Sequence, residues 1–251
     1  MLLRRALILS LLSALALTAC ERRKPVATAA PAAVVPALVA TPVKVDIQAS
    51  GKCRIRCASF KADWLAFPPQ PALDAALRVV AEAPAGPDMQ GSLRLLGEGF
   101  LADAVAANEP WEQMLAAKML TGLNDVTLID TENYSYTGGA HGMTSVAYIN
   151  WDRRLGKVLK LADVILPGRD AAFWSEAQHA HQAWVRSRED AASLGAGWPF
   201  GKTGNFALKP DALVLKYQPY AIGPYSEGTP EIRLDYARLV GVLKPEYLPA
   251  R

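Results

Sequence analysis

Histidine and cysteine are scarce in this chain, with three of each in 251 residues, and no apolar run reaches the roughly 20 residues that a membrane-spanning helix needs. Each shortage removes a class of function. His179 and His181 lie two positions apart on an expected helix, which turns them roughly 200° from each other, so they cannot share a metal ion. Around Cys53 and Cys57 only Asp46 and Asp63 could complete a metal site. No metal and no other cofactor is expected. A Gly-x-Ser-x-Gly turn is also missing, which leaves no nucleophile elbow for a serine hydrolase. Charge of one sign is absent too. The 27 basic and 24 acidic side chains nearly balance, and Lys and Arg are scattered rather than striped. That gives no electrostatic footprint for nucleic acid.

What is present begins at the N-terminus. Arg4 and Arg5 precede an apolar run from Ala6 to Leu17, followed by the small residues Thr18 and Ala19 and then Cys20. A charged region, a short apolar region and a small-residue cleavage site mark residues 1–19 as a secretory signal. Leu17-Thr18-Ala19-Cys20 resembles the lipobox of bacterial lipoproteins, and the resemblance implies a diacylglyceryl group on the Cys20 thiol and acylation of its amine. Stable anchoring takes two or more acyl chains, at about 0.8 kcal/mol per buried CH₂. Glu21 after the cysteine, by the same resemblance, favours an outer membrane. The expected location is the periplasmic face of that membrane. Without Arg4 and Arg5 the balance is 25 basic to 24 acidic, a charge of +1. Residues 20–45, with Pro25, Pro31, Pro36 and Pro42, read as a semi-extended tether at up to about 3.1 Å per residue. In an exported protein the remaining pair, Cys53 and Cys57, is expected to form a disulfide.

The folded part is expected to begin near Val45. Alternation over Val45–Ala49 and Cys53–Cys57 predicts strands. Pro71 opens a helix with Leu73, Leu77 and Val80 on one face, and a second helix starts near Ser92. Strand patterns follow over 126–136, 145–151 and 157–161, with a turn at 153–156. Along 145–151, Val146, Tyr148 and Asn150 face away from Ala147, Ile149 and Trp151. A helix from Asp170, its N-cap, to Ala192 carries Phe173, Ala177, Ala180 and Trp184 on one face. Strands over 206–217 and 231–236 close the chain. Without a regular βαβ alternation, this order predicts an α+β fold with a mainly antiparallel sheet, a small N-terminal part at 46–110 and a larger C-terminal part at 111–251. Propensity alone predicts a helix over 111–123.

Two segments stand out for chemistry. Tyr136-Thr137-Gly138-Gly139-Ala140-His141-Gly142 follows a strand, and its adjacent glycines allow positive φ and close backbone approach. Its histidine either hydrogen-bonds locally in a tight turn or faces a ligand. The stretch from Tyr217 to Gly228 holds Tyr220, Pro224 and Tyr225 between strands. Tyrosines on stiff, glycine-punctuated loops suit recognition, and they equally suit a corner that caps the core. Asp130 and Glu132 read as surface charge. Gly201-Lys202-Thr203 resembles the end of a phosphate-binding loop, but Ala196 stands where that loop needs glycine, and Pro210 follows soon after.

Tyr136–Gly142 and Tyr220–Gly228 together resemble the signature pair of the RsiV-type extracytoplasmic domain. Gly156-Lys-Val-Leu-Lys-Leu-Ala-Asp163, Phe206 and Leu213–Tyr217 match that family's intervening strands. The resemblance spans residues 111 to 245, and residues 46 to 108 resemble the smaller domain that precedes it. It implies that 111–123 is strand, and that reading is adopted here. In RsiV the region binds lysozyme; in PdaC the same pair of domains accompanies a peptidoglycan deacetylase. The chain has neither a spanning helix, a sigma-binding segment nor a deacetylase motif, so signalling and deacetylation do not carry over. The resemblance implies a non-enzymatic binding module for a lysozyme-like protein or cell-wall glycan, contacted through Tyr136, Gly138, Gly139, His141, Tyr220, Pro224 and Tyr225. The alternatives are an envelope polysaccharide hydrolase using His141 as general base, or a structural lipoprotein.

Overall fold

The computed structural model describes residues 35–50, 53 and 56–250; the signal segment, Cys20 and the first part of the tether lie outside them. The fold is α+β, as the order of elements predicts. Six strands form one sheet in sequence order: β1 (Thr41–Gln48), β2 (Ser59–Ala66), β3 (Glu112–Thr121), β4 (Val126–Tyr136), β5 (Met143–Asp152) and β6 (Lys157–Leu159). Neighbours are antiparallel except β2 and β3, which are parallel. Two helices, α1 (Pro71–Val80) and α2 (Met89–Ala107), fill the long crossover that a parallel pair requires. One sheet therefore runs across residue 110.

Helix boundaries follow local chemistry. Pro71 sits at the start of α1, where its missing N–H costs nothing, and Asp74 of the first turn accepts from the Phe67 amide. Asp88 caps α2 by accepting from Gly91 N at 2.7 Å, and Asn108 ends it in the left-handed region at φ 54°. Gly97 lets α2 lie close on the sheet, since a Cβ there would come within 2.5 Å of the fully buried Phe60 ring.

Period-two alternation then divides the core. Ile129, Ile149 and Trp151 join Phe60, Trp64, Leu73 and Leu93 under α1 and α2. Leu128 and Tyr148 point to the opposite face. That face receives a second antiparallel sheet, β7 (Phe206–Leu208), β8 (Leu213–Lys216) and β9 (Glu231–Leu234), together with α4 (Asp170–Arg186). The short α3 (Leu161–Val164) and α5 (Ala191–Gly197) flank α4 in sequence.

Side-chain amides join the two sheets. Asn150, 1% exposed, donates to Phe206 O at 2.7 Å and accepts from Leu208 N at 2.8 Å. Asn205 bonds the Tyr148 amide and the Val146 carbonyl, and Gln218 bonds both backbone groups of Val146. Asn205 and Gln218 thereby occupy backbone groups of β5 beyond its pairing with β6, and Asn150 occupies those of β7.

Several local expectations are corrected. Strand β1 starts at Thr41, ahead of Val45, with Val43 and Val45 buried. Ala58, Cys57 and the described neighbours have no strand structure, and β2 begins only at Ser59. Of the strand expected over Cys53–Cys57, Arg54 and Ile55 lie outside the described residues, and the two cysteines are joined by the expected disulfide. The 206–217 strand is a hairpin turned at Lys209–Ala212, where Pro210 cannot donate to a ladder. Asp170 is the first helical residue rather than the cap, and α4 ends at Arg186. Asp130 is not plain surface charge: it accepts from the largely buried Lys216 Nζ at 2.7 Å.

Candidate functional site

The β4–β5 connection and the loop between β8 and β9 meet at one edge of the fold. Gly138 and Gly139 adopt φ of 103° and 89°, a turn that side chains would strain, and Tyr136 Oη donates to Gly139 O at 3.2 Å. This is the tight turn foreseen for the motif. It leaves His141 exposed at its end, while Gly142 is buried against Tyr134. A Cβ on Gly142 would stand 2.5 Å from the Tyr134 ring, so that ring sets the closeness of the approach.

From the other segment, Pro224 precedes a short 3-10 turn, Tyr225–Glu227, that projects Tyr225 back onto the β4–β5 connection. The Tyr225 ring stacks on His141 with centroids 4.0 Å apart and planes inclined by 23°. Its hydroxyl donates to Gly142 O at 3.0 Å. Tyr220, held at a positive φ of 65°, places its hydroxyl 3.2 Å from His141 Nε2. His141 Nδ1 lies 2.9 Å from Gly142 O. A carbonyl can only accept, so in the neutral ring Nδ1 carries the proton and Nε2 accepts from Tyr220. Both ring nitrogens are thus engaged, and the imidazole is fixed in plane and tautomer.

Of the residues the sequence singles out, His141, Tyr220 and Tyr225 form one aromatic cluster, with His141 and Tyr220 exposed and Tyr225 half-buried. Tyr136, Gly138 and Gly139 build the turn that presents it, and Pro224 aims Tyr225. Tyr136 lies to the side, 6.0 Å from the Arg56 guanidinium. Cys53 and Cys57 are bonded to each other.

Trp198 joins the cluster although sequence reasoning passes over it. Its ring stacks on Tyr220 at 6.4 Å and 30°. The available signal was a tryptophan in the Gly195–Gly204 loop, where no core periodicity accounts for so large an apolar ring. Beside Trp198 opens a cleft of about 440 Å³, bordered also by Arg188, Asp190, Ser193, Pro224 and Glu227.

The other titratable groups are structural. His181 is 4% exposed among Trp184 and Phe200, and burial lowers its pKa. It is more deeply buried than the half-buried position its helix spacing implies, whereas His179 is exposed. Burial, then a hydrogen bond to Glu231 at 2.6 Å, pushes the Tyr148 phenol well above its ordinary value. Burial costs the Glu231 carboxylate, but hydrogen bonds from Tyr148 and Lys209 outweigh it and lower its pKa. Among the described residues no group of three His, Cys, Asp or Glu side chains could hold a metal ion, and no helix is long and apolar enough to cross a membrane.

Residues 162–237 match the family described as "Protein of unknown function (DUF3298)". That stretch holds Trp198, Tyr220 and Tyr225 but not His141. No curated protein matches the chain. The crystal structure of a DUF3298 family protein from Pseudomonas aeruginosa PAO1 is similar, with 36% identity and a TM-score of 0.75, over 86% of this chain and 99% of that one. A member from Bacteroides fragilis NCTC 9343 shares the fold at 17% identity and a TM-score of 0.68, over 84% and 96% of the two chains. At 36% identity over almost the whole of its Pseudomonas relative, this chain belongs to the DUF3298 family.

Proposed function

We propose that the protein is a membrane-anchored cell-envelope lipoprotein of the RsiV type, and that it works as a non-enzymatic binding module for a lysozyme-like protein or a cell-wall glycan. One observation carries the reading. Two motifs 79 residues apart converge on a single surface cluster, His141–Tyr220–Tyr225, in which His141 and Tyr220 are exposed and which is held by hydrogen bonds and stacking before any ligand arrives. Tyrosine gives large contact area with few rotors to freeze, and a ring already fixed in place loses little entropy on binding. Recognition is favoured over hydrolysis because His141 Nε2 is already taken up by the Tyr220 hydroxyl, which leaves that nitrogen poorly placed to accept a proton from water. The anchor rests on Leu17-Thr18-Ala19-Cys20.

Calorimetric titration of the full chain in detergent, with a c-type lysozyme and then with soluble peptidoglycan fragments, tests the proposal. Saturable heat with either ligand, weakened by Tyr225→Ala and by His141→Ala in folded protein, is the expected result. Silence with both ligands would sink it, as would undiminished binding in both variants.

A further inference from the structure

The cleft beside the aromatic cluster has its own chemistry. Its volume, about 440 Å³, falls in the range of roughly 300–1,000 Å³ usual for small-molecule sites. Trp198 belongs to both features, since it borders the cleft and stacks on Tyr220. Apart from Leu194 and Pro224 the remaining border is polar: Arg188, Glu189 and Asp190 from the α4–α5 connection, Ser193 from α5, and Ser226 and Glu227 from the tyrosine loop.

Two of these walls, Arg188 and Glu227, are held in place. The Arg188 guanidinium stands 4.8 Å over the Trp184 ring and 3.5 Å from Glu227 Oε2. Gly223 allows the tyrosine loop to fold on itself, because a Cβ there would come within 2.9 Å of Glu227 Cγ. The same point lies 3.6 Å from Leu194 of α5, which ties the loop to the helix.

The mixture of groups selects a ligand class. An anion would meet Asp190 and Glu227, and an ammonium would meet Arg188. A flat apolar molecule would strip water from a polar rim and give nothing back. A neutral, polyhydroxylated ring satisfies every wall. Carboxylates and a guanidinium each offer two hydrogen-bonding positions in one plane, which match a pair of neighbouring hydroxyls. The indole beside them suits the apolar C–H face of a pyranose.

We propose that this cleft is a saccharide subsite, with Trp198 as its stacking platform and Arg188, Asp190 and Glu227 as its hydroxyl partners. It rests on the reading of the His141–Tyr220–Tyr225 cluster as a recognition surface, which it extends and to which it assigns a glycan.

The test uses the full chain in detergent, titrated with N,N′,N″-triacetylchitotriose and with maltotriose, followed by tryptophan fluorescence and calorimetry. Saturable binding of at least one trisaccharide is expected. Trp198→Ala should weaken it at least about tenfold. Ser193→Trp, at an exposed helical position, should do the same by filling the cleft, with circular dichroism confirming that the variant is folded. No saturation by about 10 mM of either sugar, a concentration that would reveal even very weak sites, overturns the subsite. So does a sugar affinity that Ser193→Trp leaves unchanged. Loss of sugar binding in Tyr225→Ala but not in either cleft variant moves the sugar onto the cluster, which removes the subsite and keeps the proposed function. Lysozyme binding without sugar binding has the same meaning, whereas silence with all ligands removes both.

Discussion

The His141 imidazole lies on the Tyr225 phenol at 4.0 Å, while the Tyr225 hydroxyl reaches across 83 residues of chain to the Gly142 carbonyl. Ring and hydroxyl make separable contributions. Tyr225→Phe removes the hydrogen bond and keeps the stack, so it should cost about 1 kcal/mol of stability and leave lysozyme or glycan binding largely intact. Tyr225→Ala removes both and should weaken binding while the rest of the fold persists. Urea unfolding and calorimetry of the two variants separate the effects; equal binding losses in both would show that the hydroxyl, not the ring, matters.

Asn150 offers a sharper test of the architecture. Its side chain serves a donor and an acceptor of the β7 backbone, in a wholly buried position. Asn150→Ala leaves Phe206 O and Leu208 N without partners, at about 1–3 kcal/mol each. Asn150→Asp should be no better, because it keeps an acceptor for Leu208 N but offers Phe206 O no donor at neutral pH. Chemical denaturation measures the loss, and a change below 1 kcal/mol would mean that the two sheets hold together without this side chain.

Acid should weaken the fold through His181. Burial keeps its imidazole below the ordinary histidine value, so the unfolded chain takes up a proton first as pH falls below about 6.5. The unfolded state then binds more protons, and stability declines with falling pH until the lowered folded-state value is passed. Above that window the group adds no slope. His181→Phe, in a pocket already lined by Trp184 and Phe200, should flatten the decline between pH 7 and 5.5. Parallel slopes for wild type and variant would assign the effect elsewhere.

Anchoring through Cys20 predicts that Cys20→Ser releases the protein from membranes. Fractionation of cells expressing each form, with mass spectrometry of the N-terminal peptide, reads the outcome. A variant that still sediments with membrane, or a wild-type peptide without acyl chains, would contradict a lipid anchor.

Period-two patterns make much of the sheet legible in the sequence alone. The opposite orientations of Tyr148 and Trp151 follow directly from alternation along β5, and each residue lies in a different core. Caps and prolines placed α1 equally well. Segment 111–123 was different: Met, Leu, Ala and Lys favour a helix locally, but pairing with β2 and β4 on both sides overrides that preference. Strand β2 is not among the sequence expectations, although buried Phe60, Ala62 and Trp64 alternate with exposed Lys61 and Asp63 along it. At the site, the two tyrosine and glycine motifs could be named from sequence, yet their meeting could not. Nothing local encodes the stack between His141 and Tyr225 or that between Trp198 and Tyr220.

That assembly has a practical consequence. The surface is stitched from the β4–β5 connection, the α5 end and the loop before β9, so no linear peptide copied from the chain can imitate it. Antibodies raised against such peptides would recognise denatured chain and miss the working surface. A conformational binder selected against the aromatic cluster would instead report, in a single reading, that the last fifth of the chain has closed onto the rest.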